Sequence, residues 1–388
     1  MPLDLSPLND STRLLINAEL DVAFGGGRRF QPTGFPDLGP ALFKDVDGVT
    51  DWLLVESVQS IANRLEAACW DDAEEHYDAT CDRIPFVRSE ITLRGSSRTT
   101  STPQEAHRLA SPYILAGNYT YTPSAQQQSP PQQAQPVTEP LWKRLCSAAG
   151  PLAMSLEDDA PFRLRNHAGH LFRFDPGSLL HGMWLSTKVV PTGKTKAALC
   201  GGKVRFPRII SGFVEAKNPR TAQSGGVKRE RIRDQSEEGA DAALGFGSIP
   251  FPRTDFTSGG IFARFNLDLS LLRTLGLGRT QPLANGQTQC TPAIPLLQQQ
   301  GIFTNEEAFL VTWTIYKIQR FLSHGLSLRS GCQFVLKNVS VEGPTAFTWP
   351  IDTDVTAALT TLKDGLFPLL TGSQGWAARN VTSVTYLG

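Results

Sequence analysis

Alternating apolar and polar positions predict a β-strand near the start of the chain, over residues 12–22. Successive strand residues point to opposite faces of a sheet, so this pattern predicts one buried and one mostly solvated face. Three glycines at residues 25–27 follow and are expected to end the strand. The apolar positions of the strand are Leu14, Ile16, Ala18 and Leu20.

A stripe of apolar residues at spacings of three and four predicts a helix over residues 52–70, with Asp51 as its N-cap. The stripe consists of Leu54, Val55, Val58, Ile61, Ala62, Leu65 and Cys69. The polar side chains of the same helix are Ser57, Gln59, Ser60, Asn63 and Arg64. The chain therefore begins with a predicted strand, glycine turn, loop and helix.

Farther along the chain, some segments show the apolar spacing of a helix and others the alternation of a strand. A helix is predicted over residues 305–325, capped by Asn305 and ended by Gly325, and a shorter one near residues 353–365. Residues 124–138 are rich in Gln, Pro and Ser and predict a loop. Together the elements predict an α+β fold with an antiparallel sheet and helices on one face. Further strands are predicted at residues 90–94, 204–216, 259–272, 332–343 and 380–387.

The composition is that of a folded protein long enough for two or three domains, with 388 residues, 40% hydrophobic and 19% charged. The formal net charge is zero, so any polyanion site must come from local clustering. The six cysteines form no CxxC pair and are expected to be reduced and mostly buried. We expect no signal peptide, no membrane span and a cytoplasmic location.

One such cluster lies between residues 188 and 233, a segment that contains twelve basic residues and only two acidic ones, Glu215 and Glu230. This segregation favours binding of a polyanion over a set of solvated loops, and Phe206 and Phe213 are candidates for stacking on bases. The basic residues are Lys188, Lys194, Lys196, Lys203, Arg205, Arg208, Lys217, Arg220, Lys228, Arg229, Arg231 and Arg233.

The glycine turn adds a second candidate for phosphate contact. Glycines allow backbone N–H groups to approach a phosphate, and Arg28 and Arg29 add forked donors. Phe30 and Phe35 are candidates for base stacking. The alternatives are an ordinary turn with surface arginines and, for the polar residues of the helix, an ordinary solvated face.

Enzyme motifs are weak. The chain has no P-loop, GxSxG, HExxH or EF-hand sequence. His167, His170 and His181 lack convincing metal-ligand spacing, and Asp37, Asp45 and Asp47 fit turn or capping roles better than Mg²⁺ binding. We therefore expect no catalytic residue, no metal and no cofactor.

Two strings, GGGRRFQPTGFPDLGPALF and LLVESVQSIANRLEAACWD, resemble the backbone subunit of type I-G (earlier type I-U) CRISPR surveillance complexes, or Cascade, a RAMP-superfamily protein of the Cas-seven type. The resemblance implies a modified RRM (ferredoxin-like) palm from residues 1–95, 166–217 and 259–388. It also implies a helical fingers insertion at residues 96–165, which holds the Gln/Pro-rich loop, and a β-hairpin thumb at residues 218–258.

The resemblance also implies a function. Copies of such a subunit bind CRISPR RNA along its spacer, form a helical filament and present the guide for pairing with target DNA. Other Cascade subunits, one that binds the 5′ handle and one large subunit, are implied partners, and no membrane is involved. Phe251 or Phe256 is the implied base-displacing residue of the thumb. The RNA-binding residues are then Gly26, Gly27, Arg28, Arg29, Gln31, Ser57, Gln59, Ser60, Asn63 and Arg64, with Lys203, Arg205, Arg208, Lys228, Arg229 and Arg231 from the basic segment.

Two enzymatic alternatives stay open at this point. One is a metal-dependent ribonuclease of the type III backbone kind that uses Asp37, an aspartate in the loop after the first strand. The other is a guide-processing enzyme that uses His167, His170 or His181 as a general acid or base.

Overall fold

The computed structural model describes residues 3–23, 28–35, 37–121, 135–146, 164–185, 190–192, 195–197, 204–229, 248–278, 281–282, 288–289, 303–368 and 380–387. Its strands are β1 (Arg13–Val22), β2 (Gly34–Phe35), β3 (Gly39–Pro40), β4 (Leu42–Lys44), β5 (Asp51–Glu56), β6 (Trp70–Asp71), β7 (His76–Tyr77), β8 (Phe86–Leu93), β9 (Ser96–Ser101), β10 (Asn118–Tyr121), β11 (Val137–Pro140), β12 (Met183–Trp184), β13 (Val190–Thr192), β14 (Thr195–Ala197), β15 (Arg205–Phe206), β16 (Ile210–Lys217), β17 (Arg220–Arg229), β18 (Ser248–Thr257), β19 (Gly260–Asp268), β20 (Gln281–Pro282), β21 (Thr288–Gln289), β22 (Ser327–Arg329), β23 (Cys332–Gly343) and β24 (Val381–Leu387).

The described residues also form helices. They are α1 (Val58–Ala67), α2 (Pro112–Leu115), α3 (Leu141–Cys146), α4 (Leu164–Phe174), α5 (Pro176–His181), α6 (Leu269–Thr274), α7 (Asn305–His324) and α8 (Asp352–Leu366), with short 3-10 turns at Ser6–Leu8 and Arg108–Ala110.

The main sheet has seven strands in the order β22-β23-β1-β19-β16-β5-β4, and all its pairings are antiparallel. The α+β prediction is confirmed. Four central strands, β23-β1-β19-β16, are the fourth, first, third and second of their unit along the chain, with α1 and α7 in the two crossovers, which is a split β-α-β order. The assignment of this unit as an RRM-like palm stays a prediction.

Two long helices lie on the same face of this sheet. Ile16, Phe265 and Gly212 form one cross-strand row, so their side-chain positions share a face. On that face Phe321 of α7 packs edge-on against Phe265, with ring centroids 6.2 Å apart. A Cβ atom added at Gly212 would lie 3.1 Å from Cγ2 of Ile61 in α1. The prediction of helices on one face is therefore confirmed for α1 and α7.

The predicted helix over residues 52–70 was too long. Residues 51–56 form β5, which pairs with both β4 and β16, and the helix starts only at Val58. Ser57, not Asp51, is the N-cap, and its Oγ accepts a 3.3 Å hydrogen bond from the Ser60 amide. The run of Trp, Leu and Val before it fits a buried strand as well as a helix. It forms a strand because it pairs with β16.

Helix α7 follows its prediction except at the first residue. Thr304 caps it instead of Asn305, because the Thr304 hydroxyl accepts from the Glu307 amide at 3.2 Å while the Glu307 carboxylate accepts from the Thr304 amide at 3.1 Å. This reciprocal pair is a capping box. Gly325 is the C-cap, as predicted.

A second, five-stranded sheet has the order β11-β10-β24-β8-β9. The C-terminal strand β24 pairs in parallel with β8, so this sheet combines strands from the predicted palm and the predicted fingers. Its β8–β9 turn contains the predicted boundary at residue 95. Separately, β17 and β18 form an antiparallel hairpin. The division into palm, fingers and thumb stays a prediction.

Three of the six cysteines, Cys69, Cys81 and Cys332, are described in full, and all three are buried free thiols, as expected. In the same part of the chain, none of the helices combines the length and the apolar character needed to cross a membrane.

Candidate nucleic-acid interface

A groove of about 520 Å³ brings together predicted RNA-binding residues from distant parts of the chain. Gln59 reaches it from α1, and Arg205 and Arg208 reach it from β15 and the turn that follows. His107 and Trp184 complete its polar and aromatic lining. Cations, an amide, an imidazole and an indole on one concave surface are the groups that bind the backbone and bases of a single-stranded nucleic acid.

Trp184 is the residue that the sequence analysis missed. It pairs directly with Arg205 across β12 and β15, and the guanidinium carbon lies 4.8 Å from the centre of the indole ring. The indole is 51% exposed, although Trp is usually well buried. The sequence offers only a tryptophan inside the apolar run LLHGMW, which reads as core. Its exposure depends on the pairing with β15.

Arg208 and Gln59 are joined by a hydrogen bond, in which Nη2 of Arg208 donates to Oε1 of Gln59. Burial lowers the pKa of Arg208, and the nearby Arg108 cation lowers it further. A partly desolvated guanidinium beside another cation gains more from an added anion than a fully solvated one does. The position is therefore suited to a phosphate.

Gly182 allows the wall of the groove to form. Its φ of +78° lies in the left-handed region, and an added Cβ atom would lie 2.8 Å from the Phe206 carbonyl oxygen and 3.0 Å from the Arg208 amide nitrogen. Only glycine combines this backbone conformation with so close an approach.

A buried ion pair supports the floor of the groove. Arg108 is almost fully buried, and its Nη2 lies 2.7 Å from Oε2 of Glu66, while its Nε donates to Oε1 at 3.0 Å. The same guanidinium donates to Oδ1 of Asn63 at 3.2 Å. Asn63 therefore helps to hold Arg108 inside the protein, and its role as an RNA contact stays a prediction.

Arg64 and Ser57 also serve the fold. Arg64 lies 3.4 Å from the Glu56 carboxylate and donates to the Leu328 carbonyl, and Ser57 caps α1. Arg329 donates to the same carboxylate and, at 3.0 Å, to the Gln31 carbonyl oxygen. The role of this helix face in phosphate contact stays a prediction, and among its five polar side chains only Gln59 lines the groove. Ser60 contributes its backbone amide to the cap.

The loop after β1 is only partly described, and Gly26 and Gly27 lie outside the described residues. Arg28 and Arg29 are exposed, and Arg28 has a left-handed φ of +38° and lies 3.5 Å from Asp21. Neither arginine lines the groove. Phe30 is buried against Phe334, with ring centroids 5.8 Å apart, so its prediction as a stacking residue is wrong.

The hairpin separates the two predicted wedge residues. Phe251 is 37% exposed and lies across Gly226, where an added Cβ would sit 2.6 Å from its ring. Phe256 is buried at the hairpin base, which corrects its prediction as a base-displacing residue, because a buried ring cannot enter a base stack. Lys203, Arg231 and the side chains of Lys228 and Arg229 lie outside the described residues.

The stacking predictions for the basic segment also change. Phe206 is buried beneath the β12–β15 pair, so its ring is core. Phe213 lies within β16 and is half-buried. The exposed aromatic ring at the groove is Trp184.

Three of the residues weighed for catalysis or metal binding, His181, Asp45 and Asp47, have structural contacts. His181 is fully buried, its Nε2 lies 3.0 Å from Nζ of Lys317, and burial lowers its pKa well below the usual range. Asp47 accepts from the Val49 and Thr50 amides at 2.8 Å, and Asp45 accepts from the Trp52 indole at 2.9 Å. His167 is buried, and the His170 side chain lies outside the described residues. Asp37 is exposed in a turn.

Within the described residues, one cluster places three potential metal ligands together: atoms of Cys69, Asp78 and Cys81 lie within 4.8 Å of one another. Both carboxylate oxygens of Asp78 already have donors, since Oδ1 accepts from the Cys81 amide and Oδ2 from the Tyr316 hydroxyl at 2.9 Å. Burial also raises the pKa of Cys81 well above its usual range. The donor set therefore fits a tight turn better than a metal.

Comparison with known proteins gives one family. The model of the family described as CRISPR-associated protein GSU0053 matches residues 14–221, which include all the residues that line the groove. A chain of a solved structure titled "CRISPR RNA-guided surveillance complex, pre-nicking" is 14% identical, with a TM-score of 0.32 over 95% of this chain and 84% of that chain. The search of curated proteins finds no match. Since the family model matches more than half of its length, the chain belongs to the CRISPR-associated protein GSU0053 family.

Proposed function

We propose that this protein is a non-catalytic backbone subunit of a type I-G surveillance complex, which binds CRISPR RNA through the groove and presents it for pairing with target DNA. The observation that carries the proposal is the meeting of Gln59, Arg205, Arg208 and Trp184 in one groove. Membership of a CRISPR-associated family supports the biological context.

The four side chains have different tasks in this proposal. Arg208 binds a phosphate of the guide, oriented by its hydrogen bond to Gln59. Trp184 stacks on a base, and Arg205 beside it binds the adjacent phosphate. Contacts of this kind recognise the backbone and the stacking surface without sequence preference, which a subunit needs if any spacer is to be accepted.

The test is binding of a single-stranded RNA to single alanine variants of Arg205, Arg208 and Trp184. Each arginine variant should bind about tenfold more weakly, and its salt dependence should fall by about 0.7 in log–log slope per lost phosphate contact. Trp184→Ala should lose about tenfold in affinity without a change in slope, because stacking is uncharged.

Arg98→Ala is the matched control, since Arg98 is an exposed arginine on β9 that does not line the groove. It should leave affinity and slope unchanged. If Arg205→Ala and Arg208→Ala behave like this control, the groove is not the RNA site.

A further inference from the structure

The floor of the groove contains a buried arginine that is paired with one acid. Arg108 lines the groove although its side chain is almost fully buried. Its guanidinium contacts both oxygens of the Glu66 carboxylate, at 2.7 and 3.0 Å. Arg108 also has a left-handed φ of +52°, which is unfavourable for a residue with a long side chain. A strained, buried cation beneath a binding surface indicates a role beyond packing.

The buried pair sets the charge beneath Arg208, the residue to which the proposed function assigns a phosphate. Burial lowers the pKa of Arg208, the Arg108 cation lowers it further, and the Glu66 carboxylate raises it. Both buried charges therefore act on the Arg208 guanidinium. When Glu66 is ionised, its charge offsets that of Arg108. When Glu66 is neutral, an anion in the groove is attracted by two cations without that opposition.

The charged groups around Glu66 allow its carboxyl group to change charge near neutral pH. Burial raises the pKa of Glu66 to about 7, against the effect of the Arg108 and Lys317 cations, and the Asp175 carboxylate raises it further. Lys317 reaches this region from α7, and its Nζ lies 3.0 Å from Nε2 of His181 in α5. Burial lowers the pKa of both Lys317 and His181.

Tyr77 of β7 faces the same carboxylate. The Tyr77 hydroxyl and Oε1 of Glu66 lie 3.4 and 3.7 Å from the position that a Cβ atom would take at Gly177. Burial raises the pKa of Tyr77 well above its ordinary value, and the Asp175 and Glu66 carboxylates raise it further. The phenol therefore adds no charge near neutral pH.

We infer that Glu66 sets the affinity of the groove for an anionic ligand by acting through Arg108: the ionised carboxylate weakens the binding of a phosphate, and the neutral carboxyl group strengthens it. Glu66 does not line the groove, so it is a positioning residue that acts through its neighbours. The inference rests on the proposed function, which assigns single-stranded RNA to this groove.

The direction of the pH dependence follows from linkage. A phosphate near Arg108 disfavours a negative charge on Glu66, so RNA binding should raise the pKa of Glu66 above its value in the free protein and take up a proton. Affinity should therefore be highest below about pH 7 and fall as the pH rises above that value. Each unit by which RNA raises the pKa corresponds to about a tenfold loss of affinity at high pH.

The test compares single-stranded RNA binding by the unmodified chain and by Glu66→Gln, which keeps the size of the side chain and removes its charge. The exposed His107 of the groove is present in both chains, so its own titration cancels in the ratio of their affinities. The two affinities should agree at about pH 6, and Glu66→Gln should bind about tenfold more tightly at about pH 8.5. A ratio that is the same at both pH values, or weaker binding by Glu66→Gln at the higher pH, would overturn the inference.

Glu105→Gln is the matched control. The Glu105 carboxylate accepts from the Thr100 and Ser111 hydroxyls at 2.7 and 2.8 Å, so this variant removes a nearby acid that is bound to hydroxyl groups instead of a groove cation. Its affinity should follow that of the unmodified chain at both pH values. An equal gain in Glu105→Gln at the higher pH would show that the loss of any acid has this effect, and would contradict a specific role for Glu66.

An added charge gives a second test that does not depend on the folding of Glu66→Gln. Oδ1 of Asn63 accepts from Arg108 at 3.2 Å, so Asn63→Asp places a negative charge against the same guanidinium. It should bind RNA about tenfold more weakly, whereas the same charge added at the exposed Gln104 should change affinity by less than about twofold. Unchanged or tighter binding by Asn63→Asp would overturn the inference.

The two proposals fail in different ways. If RNA binding does not depend on Arg205 or Arg208, the proposed function is wrong, and the inference about Glu66 is wrong with it. If binding depends on both arginines but Glu66→Gln shows no pH-dependent gain, only the inference about Glu66 is wrong.

Discussion

Phe30 and Phe256 pair through two backbone hydrogen bonds of 2.9 Å, each donating its amide to the other's carbonyl oxygen. The pair joins the loop after β1 to the base of the β17–β18 hairpin. Both rings are buried, and Phe30 packs against Phe334 of β23. The loop with Arg28 and Arg29 and the hairpin with Phe251 are therefore anchored at one point.

This anchor gives different predictions for the two phenylalanines of β18. Phe256→Ala should lower the free energy of unfolding by about 3 kcal/mol, because it leaves a cavity at a buried site. Phe251→Ala should cost less than about 1 kcal/mol, because its ring is partly exposed. Urea denaturation measures both, and equal losses would show that the hairpin base is not the anchor.

The next prediction concerns Glu56, whose carboxylate contacts two arginines. Its buried carboxylate lies against Arg64 and Arg329, so Glu56→Gln removes the charge that both guanidinium groups share. We expect a loss of about 3 kcal/mol in unfolding free energy. The control is Glu19→Gln, which breaks the exposed Glu19–Lys337 pair and should cost less than about 1 kcal/mol. Similar losses in both variants would contradict a structural role for this cluster.

Gly182→Ala should damage the groove by steric contact as well as by backbone strain. Gly95 has the same φ of +78° but no atom within 4 Å of an added Cβ, so Gly95→Ala isolates the backbone cost. Both variants should lose about 1 kcal/mol or more in melting experiments. Only Gly182→Ala should also weaken RNA binding, because its Cβ displaces Arg208. Equal RNA affinity in the two variants would contradict this.

Glu66 gives a pH prediction. Burial raises its pKa from the ordinary 4.5 to about 7, although the Arg108 cation opposes the shift. The folded chain then keeps a proton that the unfolded chain releases above about pH 4.5, so stability should fall as the pH rises from about 4.5 to 7. Glu66→Gln mimics the protonated side chain and should flatten that fall. Urea denaturation across this pH range measures the difference, and parallel profiles would assign the pH dependence to other groups.

The ribonuclease alternative has its own test. Asp37 is exposed in a turn. We expect the assembled protein with Mg²⁺ to leave a complementary RNA intact, both with and without Asp37→Ala. Regularly spaced cuts that disappear in the variant would instead establish Asp37 as catalytic.

Local patterns predicted much of the secondary structure. The alternation in residues 13–22 gave β1 correctly, and residues 305–325 gave nearly all of α7, because strand and helix periods are properties of neighbouring residues. Residues 51–56 were misassigned because a short apolar run satisfies both periods. This segment forms β5 because it pairs with β16, which is far away in the chain.

The candidate site, too, could be predicted from the sequence only in part. The sequence by itself determined that basic and polar residues cluster in two segments and that the chain resembles a CRISPR backbone subunit, because composition and motifs are written in the order of residues. Only the tertiary structure decided which of those residues share a surface. It joined Arg208 to Gln59, exposed Trp184 beside Arg205, and placed Asn63 and Arg64 in internal networks. Whether a side chain is buried, and which residues it contacts, depends on segments that are distant in the chain, so no local sequence pattern can predict it.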